Sequence, residues 1–138
     1  MTSIVLADDH DFTRRGLQTV LETQPGFHIV GEARDGLETI EAVERLQPDV
    51  LVVDVVMPGL AGLEVTRRTR QVSSKTCVVV LSMYDNHAYV AEALPAGAKA
   101  YVLKRSESRE LVTAIRDVIA GQLYLSPPLS ESAIKEIH

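Results

Sequence analysis

The sequence lacks several features that would point to other classes of protein. Its 138 residues include one cysteine and no tryptophan, and aromatic residues make up only 4%. A single cysteine excludes an internal disulfide, and no apolar run approaches the roughly 18 residues that a membrane-spanning helix needs. The first residues also lack the charged start and long apolar stretch of a signal peptide. We therefore expect a cytoplasmic protein with no membrane contact and an aliphatic core.

Positive charge is also in short supply. The net charge is −5, with 14 Lys and Arg residues against 19 Asp and Glu residues. Because nucleic-acid phosphates are bound by clustered basic residues, this balance argues against a DNA-binding surface within the chain. Carboxylates that converge could instead hold a divalent cation.

Five short apolar runs alternate with segments that have helical spacing. The runs lie at residues 4–7, 29–31, 50–53, 78–81 and 101–103. Several are continuous and β-branched, as is typical of strands buried on both faces. The order predicts right-handed βαβ units, and hence an α/β fold of (βα)5 type with a doubly wound, five-stranded parallel sheet.

The helical segments carry further signals. In the first helix, Phe12 lies near one face with Leu17, so we expect it to pack on the sheet, while Arg14 should lie on a solvated polar face. Pro95 falls inside the fourth helix and should kink it or end it early. In the last helix, we expect Ser106 to be the N-cap and Gly121 the terminator.

Five polar residues fall at predicted strand ends. Asp8 and Asp9 follow the first strand, Asp54 ends the third, Ser82 ends the fourth and Lys104 follows the fifth. In open parallel sheets, ligands bind outside the carboxyl ends of the strands. Each residue alone could simply end its strand, but that explanation becomes weak for all five together.

The chemistry of this set favours a metal and a phosphate group. Close carboxylates repel one another in a partly buried cleft, and Mg²⁺ resolves that conflict by binding one or two carboxylates together with phosphate oxygens and water. A lysine and a serine suit the oxygens of a transferred phosphoryl group. From the residues alone, the prediction is a divalent-metal or phosphate site.

The motifs around these residues resemble a known family. The stretches are IVLADDH at 4–10, DVVMPG at 54–59, LSM at 81–83 and AGAKAYVLK at 96–104. In this order and spacing, they are similar to the receiver domain of bacterial two-component response regulators, and within these to the NarL/FixJ family. The resemblance covers residues 1–127 and implies a flavodoxin- or CheY-like fold.

The resemblance also implies residue roles. Asp54 would accept a phosphoryl group from a phosphohistidine on a sensor histidine kinase. Asp8 and Asp9 would bind Mg²⁺ together with Asp54 and the backbone carbonyl of Val56, while Lys104 would pair with the phosphoryl oxygens.

A second set of implied roles concerns the output. Ser82 would hydrogen-bond to the phosphoryl group, and Tyr101 would be the aromatic switch residue, moving into the space that Ser82 vacates. We therefore expect a receiver domain at residues 1–122 and a linker at 123–138. The linker would lead to a helix-turn-helix output domain that is absent here and through which alone DNA would be bound. Phosphorylation could drive formation of a homodimer.

Three alternatives remain to be weighed. A stand-alone phosphorelay receiver would need no output domain. A Mg²⁺-dependent aspartyl-phosphate phosphohydrolase usually carries a second Asp two residues after its nucleophile, where this chain has Val56. A dinucleotide-binding domain would need a G-x-G-x-x-G turn after the first strand, and the turn here is acidic. We expect a signalling domain with self-directed phosphotransfer and slow autodephosphorylation, not an enzyme that turns over other phosphoesters.

Overall fold

Strands and helices alternate along the chain, as the sequence predicts. The structure is a computed structural model that describes residues 1–83, 87–104 and 108–127. The strands are β1 (Thr2–Ala7), β2 (Phe27–Ala33), β3 (Val50–Asp54), β4 (Cys77–Ser82), β5 (Ala98–Leu103) and β6 (Tyr124–Leu125). The helices are α1 (Asp11–Glu22), α2 (Gly36–Leu46), α3 (Gly62–Val72), α4 (His87–Ala96) and α5 (Ser108–Ile119).

The strands form one parallel sheet in the order β2-β1-β3-β4-β5-β6. The predicted doubly wound α/β fold is confirmed, but the predicted number of five strands was wrong. A sixth strand of two residues pairs with β5, placing Tyr124 opposite Ala100 and Leu125 opposite Tyr101. So short and half-buried a strand has no apolar run or periodicity from which it could be predicted.

Each face of the sheet has its own hydrophobic core. Alternate residues of β3 point to opposite faces, so Leu51 and Val53 pack in one core while Val50 and Val52 pack in the other. Helices α2, α3 and α4 cover the first face, and α1 and α5 cover the second. Because both faces are covered, the carboxyl ends of the central strands are held in a fixed relation to one another.

Helix α1 differs from the prediction in which side chains it buries. Phe12 is 91% exposed, and Arg14 is only 8% exposed, so the expected positions of these two side chains were both wrong. Arg14 shares its face with Leu17 and Leu21, at spacings of three and four residues, and Phe12 lies on a different side. Hydrogen-bond acceptors beneath the helix account for the burial of the arginine, as described below.

Helix α4 continues through Pro95 and ends at the next residue, Ala96. The proline therefore lies in the last turn, and the helix does not end before it. The Arg70 guanidinium donates a hydrogen bond of 3.0 Å to the Pro95 carbonyl, which supplies a cation at this helix C-terminus.

Gly121, with φ of 87°, follows the end of α5, and the predicted N-cap, Ser106, lies outside the described residues.

The segment after α5 is attached to the sheet. Ser126 is fully buried, and its N–H donates to the Tyr101 carbonyl over 3.0 Å. Its Oγ accepts the Leu103 N–H at 2.9 Å and donates to Glu110 Oε1 at 2.5 Å. The first residues of the predicted 123–138 linker are therefore joined to β5 and α5.

The Ser126→Ala variant should lose stability because it leaves the buried Leu103 N–H without an acceptor. We expect the free energy of unfolding to fall by about 1–3 kcal/mol, measured by urea denaturation. Thr113→Ala is a matched control, since the exposed Thr113 hydroxyl donates to the carbonyl of Arg109 in its own helix. Equal midpoints for Ser126→Ala and the wild type would contradict the prediction.

Candidate functional site

The carboxyl ends of β1, β3 and β5 bring two aspartates and a lysine into contact. Lys104 Nζ lies 2.6 Å from Asp54 Oδ2 and 2.9 Å from Asp8 Oδ2. Asp8 is 1% exposed and Asp54 is 4% exposed. The predicted convergence at this edge is present, because β1 and β3 are neighbours and the segment after β5 reaches back to them.

Each of the two buried aspartates divides its oxygens between a backbone amide and the lysine. Asp8 Oδ1 accepts the His10 N–H at 2.8 Å, and Asp54 Oδ1 accepts the Val56 N–H at 3.1 Å. The Oδ2 atom of each faces Lys104. Both carboxylates are thus oriented by the turn that follows their own strand, and the Oδ2 atom of each has a second lone pair beside the one that faces Lys104.

Four side chains at this edge could act together as ligands. Asp8, Asp9, His10 and Asp54 each offer a ligand atom, and these atoms all lie within 4.8 Å of one another. Three carboxylates are the oxygen-rich donor set that suits Mg²⁺, so these residues fit the cation that the sequence predicted. Nothing in the sequence points to His10 as a ligand except its place next to Asp9.

His10 is better described as a neighbour of the acidic residues than as a fourth ligand for Mg²⁺. Its Nδ1 atom lies 3.3 Å from Asp8 Oδ1 and 3.1 Å from Asp9 Oδ1. Imidazole nitrogen suits transition metals, whereas Mg²⁺ takes oxygen ligands. The exposed His10 ring therefore lies at the rim of the acidic cluster, where it can contact either carboxylate.

The electrostatics of the site centre on Lys104. Burial alone would lower the pKa of Lys104, but hydrogen bonds and attraction from Asp54 and Asp8 raise it above its ordinary value. The ammonium therefore stays charged at neutral pH. It offsets part of the negative charge of the three carboxylates and leaves the site net negative.

A close helix contact fixes the strand end that carries Asp54. The N-terminus of α3 comes so near that a Cβ on Gly62 would lie 2.4 Å from the Asp54 carbonyl oxygen. Gly62 also donates its N–H to the Val55 carbonyl at 2.9 Å. Because glycine alone permits this approach, it holds the backbone of Asp54 and Val55 in place.

The two predicted switch residues lie on adjacent strands. Ser82 ends β4 and Tyr101 lies in β5, and both are fully buried. Burial raises the pKa of Tyr101, and a hydrogen bond with the Ser82 side chain partly offsets that rise. The structure therefore brings Ser82, on the strand next to that of Asp54, into direct contact with Tyr101 on the strand beyond.

The fold and the site define a class. A doubly wound parallel sheet carries an acidic cluster and a lysine at its carboxyl edge, and a family model described as the response regulator receiver domain matches residues 4–116. The chain belongs to the response regulator receiver domain family. This confirms the resemblance on which the predicted roles of the site residues were based.

Individual relatives agree with this assignment. The transcriptional regulatory protein DegU of Brevibacillus brevis is 37% identical over 133 residues, which are 96% of this chain and 56% of the relative. A LuxR-family two-component response regulator from Aurantimonas is 34% identical, with a TM-score of 0.93 and coverage of 99% of this chain and 98% of that one.

A third relative is the RcsB response regulator of Salmonella typhimurium, in a structure described in terms of DNA interaction. It is 25% identical, has a TM-score of 0.92, and is matched over 98% of this chain and 70% of that one. The relatives are thus response regulators of the LuxR and NarL type, and this chain spans little more than half the length of DegU. Among the described residues, no helix is long and apolar enough to cross a membrane.

Proposed function

We propose that this chain is a phosphorylation-controlled receiver, in which Asp54 accepts a phosphoryl group from a phosphohistidine on a sensor histidine kinase. The observation that carries the proposal is the contact of the Asp54 carboxylate with Lys104 and, through it, with Asp8. A nearly buried carboxylate that is oriented by a backbone amide and faces an ammonium is placed to attack a phosphorus atom.

The transfer needs little covalent chemistry from the protein. An Asp54 oxygen forms the new P–O bond while the P–N bond of the phosphohistidine breaks, and the electron pair returns to the imidazole nitrogen. Lys104 then pairs with the phosphoryl oxygens. Asp8, Asp9 and Asp54, with the Val56 carbonyl, would hold Mg²⁺, which would supply positive charge to offset the negative charge of the transfer.

The output begins at Ser82. The added phosphoryl group brings about −1.5 to −2 charge and new acceptor oxygens, which would draw the Ser82 hydroxyl away from Tyr101. The Tyr101 ring is already fully buried, so phosphorylation would change the partner of its hydroxyl instead of bringing the ring inward. The face formed by α4, β5 and α5 would then repack and bias a pre-existing equilibrium.

Partners follow from the site and the relatives. Exposed apolar side chains of Phe12, Val56 and Met83 lie at the same carboxyl edge as Asp54 and suit the approach of the cytoplasmic kinase. Residues 123–138 would lead to a helix-turn-helix domain, consistent with the transcriptional role in the name of DegU. Phosphorylation would control DNA binding by that domain, in part through a homodimer. A stand-alone relay receiver is the second candidate.

The test is incubation with Mg²⁺ and acetyl phosphate, followed by a phosphate-affinity gel and peptide mapping. We expect one slow-migrating species that is stable in acid and labile in base, with the modified residue in the peptide containing Asp54. A parallel sample with a chelator should remain unmodified. Labelling that maps to another residue, or that proceeds without a divalent cation, would overturn the proposal.

The same preparation separates a receiver from a phosphohydrolase. Val56 stands two residues after Asp54 and cannot transfer a proton to a leaving group. We therefore expect slow self-dephosphorylation and no turnover of a substrate such as p-nitrophenyl phosphate. Sustained release of p-nitrophenol would favour the phosphohydrolase.

A further inference from the structure

A buried arginine joins three elements beneath the acidic cluster. The Arg14 guanidinium donates to the Asp8 backbone carbonyl at 2.7 Å through Nη1. It also donates to Asp11 Oδ1 at 2.6 Å through Nη2 and to Glu32 Oε1 at 2.9 Å through Nε. The three guanidinium nitrogens thus connect the turn after β1, the first turn of α1 and the end of β2.

We propose that Arg14 is a positioning residue that holds the Asp8 peptide in place and thereby sets the Mg²⁺ affinity of the acidic cluster. This inference rests on the proposed function, in which Asp8 is a Mg²⁺ ligand. Groups that orient metal ligands from behind commonly change metal affinity by about 10–100-fold when they are replaced.

The contacts of Asp8 show why its backbone matters. Its N–H donates to the Ala33 carbonyl at 3.0 Å, and its carbonyl accepts from Arg14, so its N–H and its C=O are both anchored. Its side chain is oriented by the His10 N–H and by Lys104. Without the Arg14 side chain, the Asp8 carbonyl would lose its partner in a buried position. The Asp8 peptide would then keep only its N–H anchor, the bond to the Ala33 carbonyl.

Because Arg14 is charged, an electrostatic role and a positioning role predict opposite changes in Mg²⁺ affinity when it is removed. Burial would lower the pKa of Arg14, but hydrogen bonds with Asp11 and Glu32 raise it, so the group is always cationic. If only electrostatics mattered, removal of a cation near the acidic cluster would strengthen Mg²⁺ binding. The positioning role requires the opposite result.

Replacing Arg14 with lysine separates the effect of its charge from the effect of its hydrogen-bond geometry. The Arg14→Lys variant keeps the charge but cannot donate along three fixed directions. A loss of Mg²⁺ affinity in Arg14→Lys would therefore result from the lost hydrogen-bond geometry and not from a lost charge. Arg15 is an exposed neighbour on the same helix, so Arg15→Ala removes the same charge without touching the turn.

The experiment measures Mg²⁺ dissociation constants by calorimetry for the wild type, Arg14→Lys, Arg14→Ala and Arg15→Ala, with circular dichroism to verify folding. We expect binding to weaken about tenfold in both Arg14 variants and to stay within twofold of wild type in Arg15→Ala. Phosphorylation by acetyl phosphate should return to near the wild-type level at saturating Mg²⁺, because the acceptor and Lys104 are unchanged.

Unchanged or tighter Mg²⁺ binding in folded Arg14→Lys would overturn the inference. Arg14 would then be a structural residue, and the proposed function would still stand if the wild type is phosphorylated. Failure of the proposed function is a different result, in which the wild type itself neither binds Mg²⁺ nor becomes phosphorylated. If both Arg14 variants fail to fold, Glu32→Ala removes the acceptor of the Arg14 Nε–H and thus one anchor of the guanidinium. A measurable rise in its dissociation constant is then expected, and an unchanged value would overturn the inference.

Discussion

The Asp54→Asn variant is expected to lose phosphorylation by acetyl phosphate completely while it remains folded. The amide has nearly the same shape as the carboxylate and can still accept the Val56 N–H. It lacks the negative charge and the nucleophilic oxygen that form the P–O bond. No slow-migrating species should appear on a phosphate-affinity gel at any Mg²⁺ concentration.

The control for this variant is Asp117→Asn on α5, which removes the same charge far along the chain from the site. It should be labelled at the wild-type rate. Labelling of Asp54→Asn that equals the wild type would move the acceptor to another residue and remove the basis of the proposed function.

Stability gives a second readout for Asp54→Asn. Asp8 and Asp54 share Lys104 as their cation in this structure, and the neutral amide removes one member of a mutually repelling group. We therefore expect the metal-free variant to be at least as stable as the wild type in urea denaturation. A large loss of stability would mean that the Asp54–Lys104 pair outweighs the repulsion among the carboxylates.

The sequence located the acidic edge because a parallel sheet imposes a simple rule. Residues that follow buried strands must meet at one edge, whatever the details of packing. Asp8, Asp54 and Lys104 could therefore be placed together before any coordinates were known. The covering of both faces of the sheet followed from the same alternation of apolar runs and helical segments.

Arg14 could not be placed by such a rule. A charged side chain on an amphipathic helix is expected in solvent. Here the expectation failed because three acceptors converge from the turn after β1, from β2 and from α1 itself. Burying the guanidinium becomes favourable only when all of them are present. That condition belongs to the tertiary structure, and no spacing within α1 encodes it.

The sixth strand escaped prediction for a related reason. Tyr124 and Leu125 are too few to show a period, and their pairing with β5 depends on the buried hydrogen bonds of Ser126. These bonds link residues that are distant in the chain; Leu103 and Ser126, for example, are 23 residues apart. Local composition alone indicated a linker.

The second large effect is expected for Lys104→Met, which removes the cation shared by Asp8 and Asp54. Breaking a buried ion pair by deleting one partner commonly destabilises a protein by 3–5 kcal/mol. The Lys104 side chain is 14% exposed, so solvent reaches the site, and we expect the lower end, about 3 kcal/mol. Urea denaturation in metal-free buffer measures this loss.

Lys99→Met is the matched control, because Lys99 is an exposed lysine on β5, the strand that Lys104 follows. Its effect should be within about 0.5 kcal/mol, as for most surface substitutions. Added Mg²⁺ should stabilise Lys104→Met more than the wild type, since the divalent cation then meets carboxylates that no ammonium neutralises. Equal stability of Lys104→Met and the wild type without metal would contradict the prediction.

The pH dependence of the same pair has a definite sign. The pKa of Lys104 is raised in the folded state, so its contribution is fully present below the unfolded value of about 10.4. It is lost as the pH rises through the folded-state pKa. The difference between wild type and Lys104→Met should therefore stay constant from about pH 7 to 9 and shrink only above roughly pH 10.4. A difference that already shrinks between pH 7 and 9 would mean that the ammonium is not held by the two carboxylates.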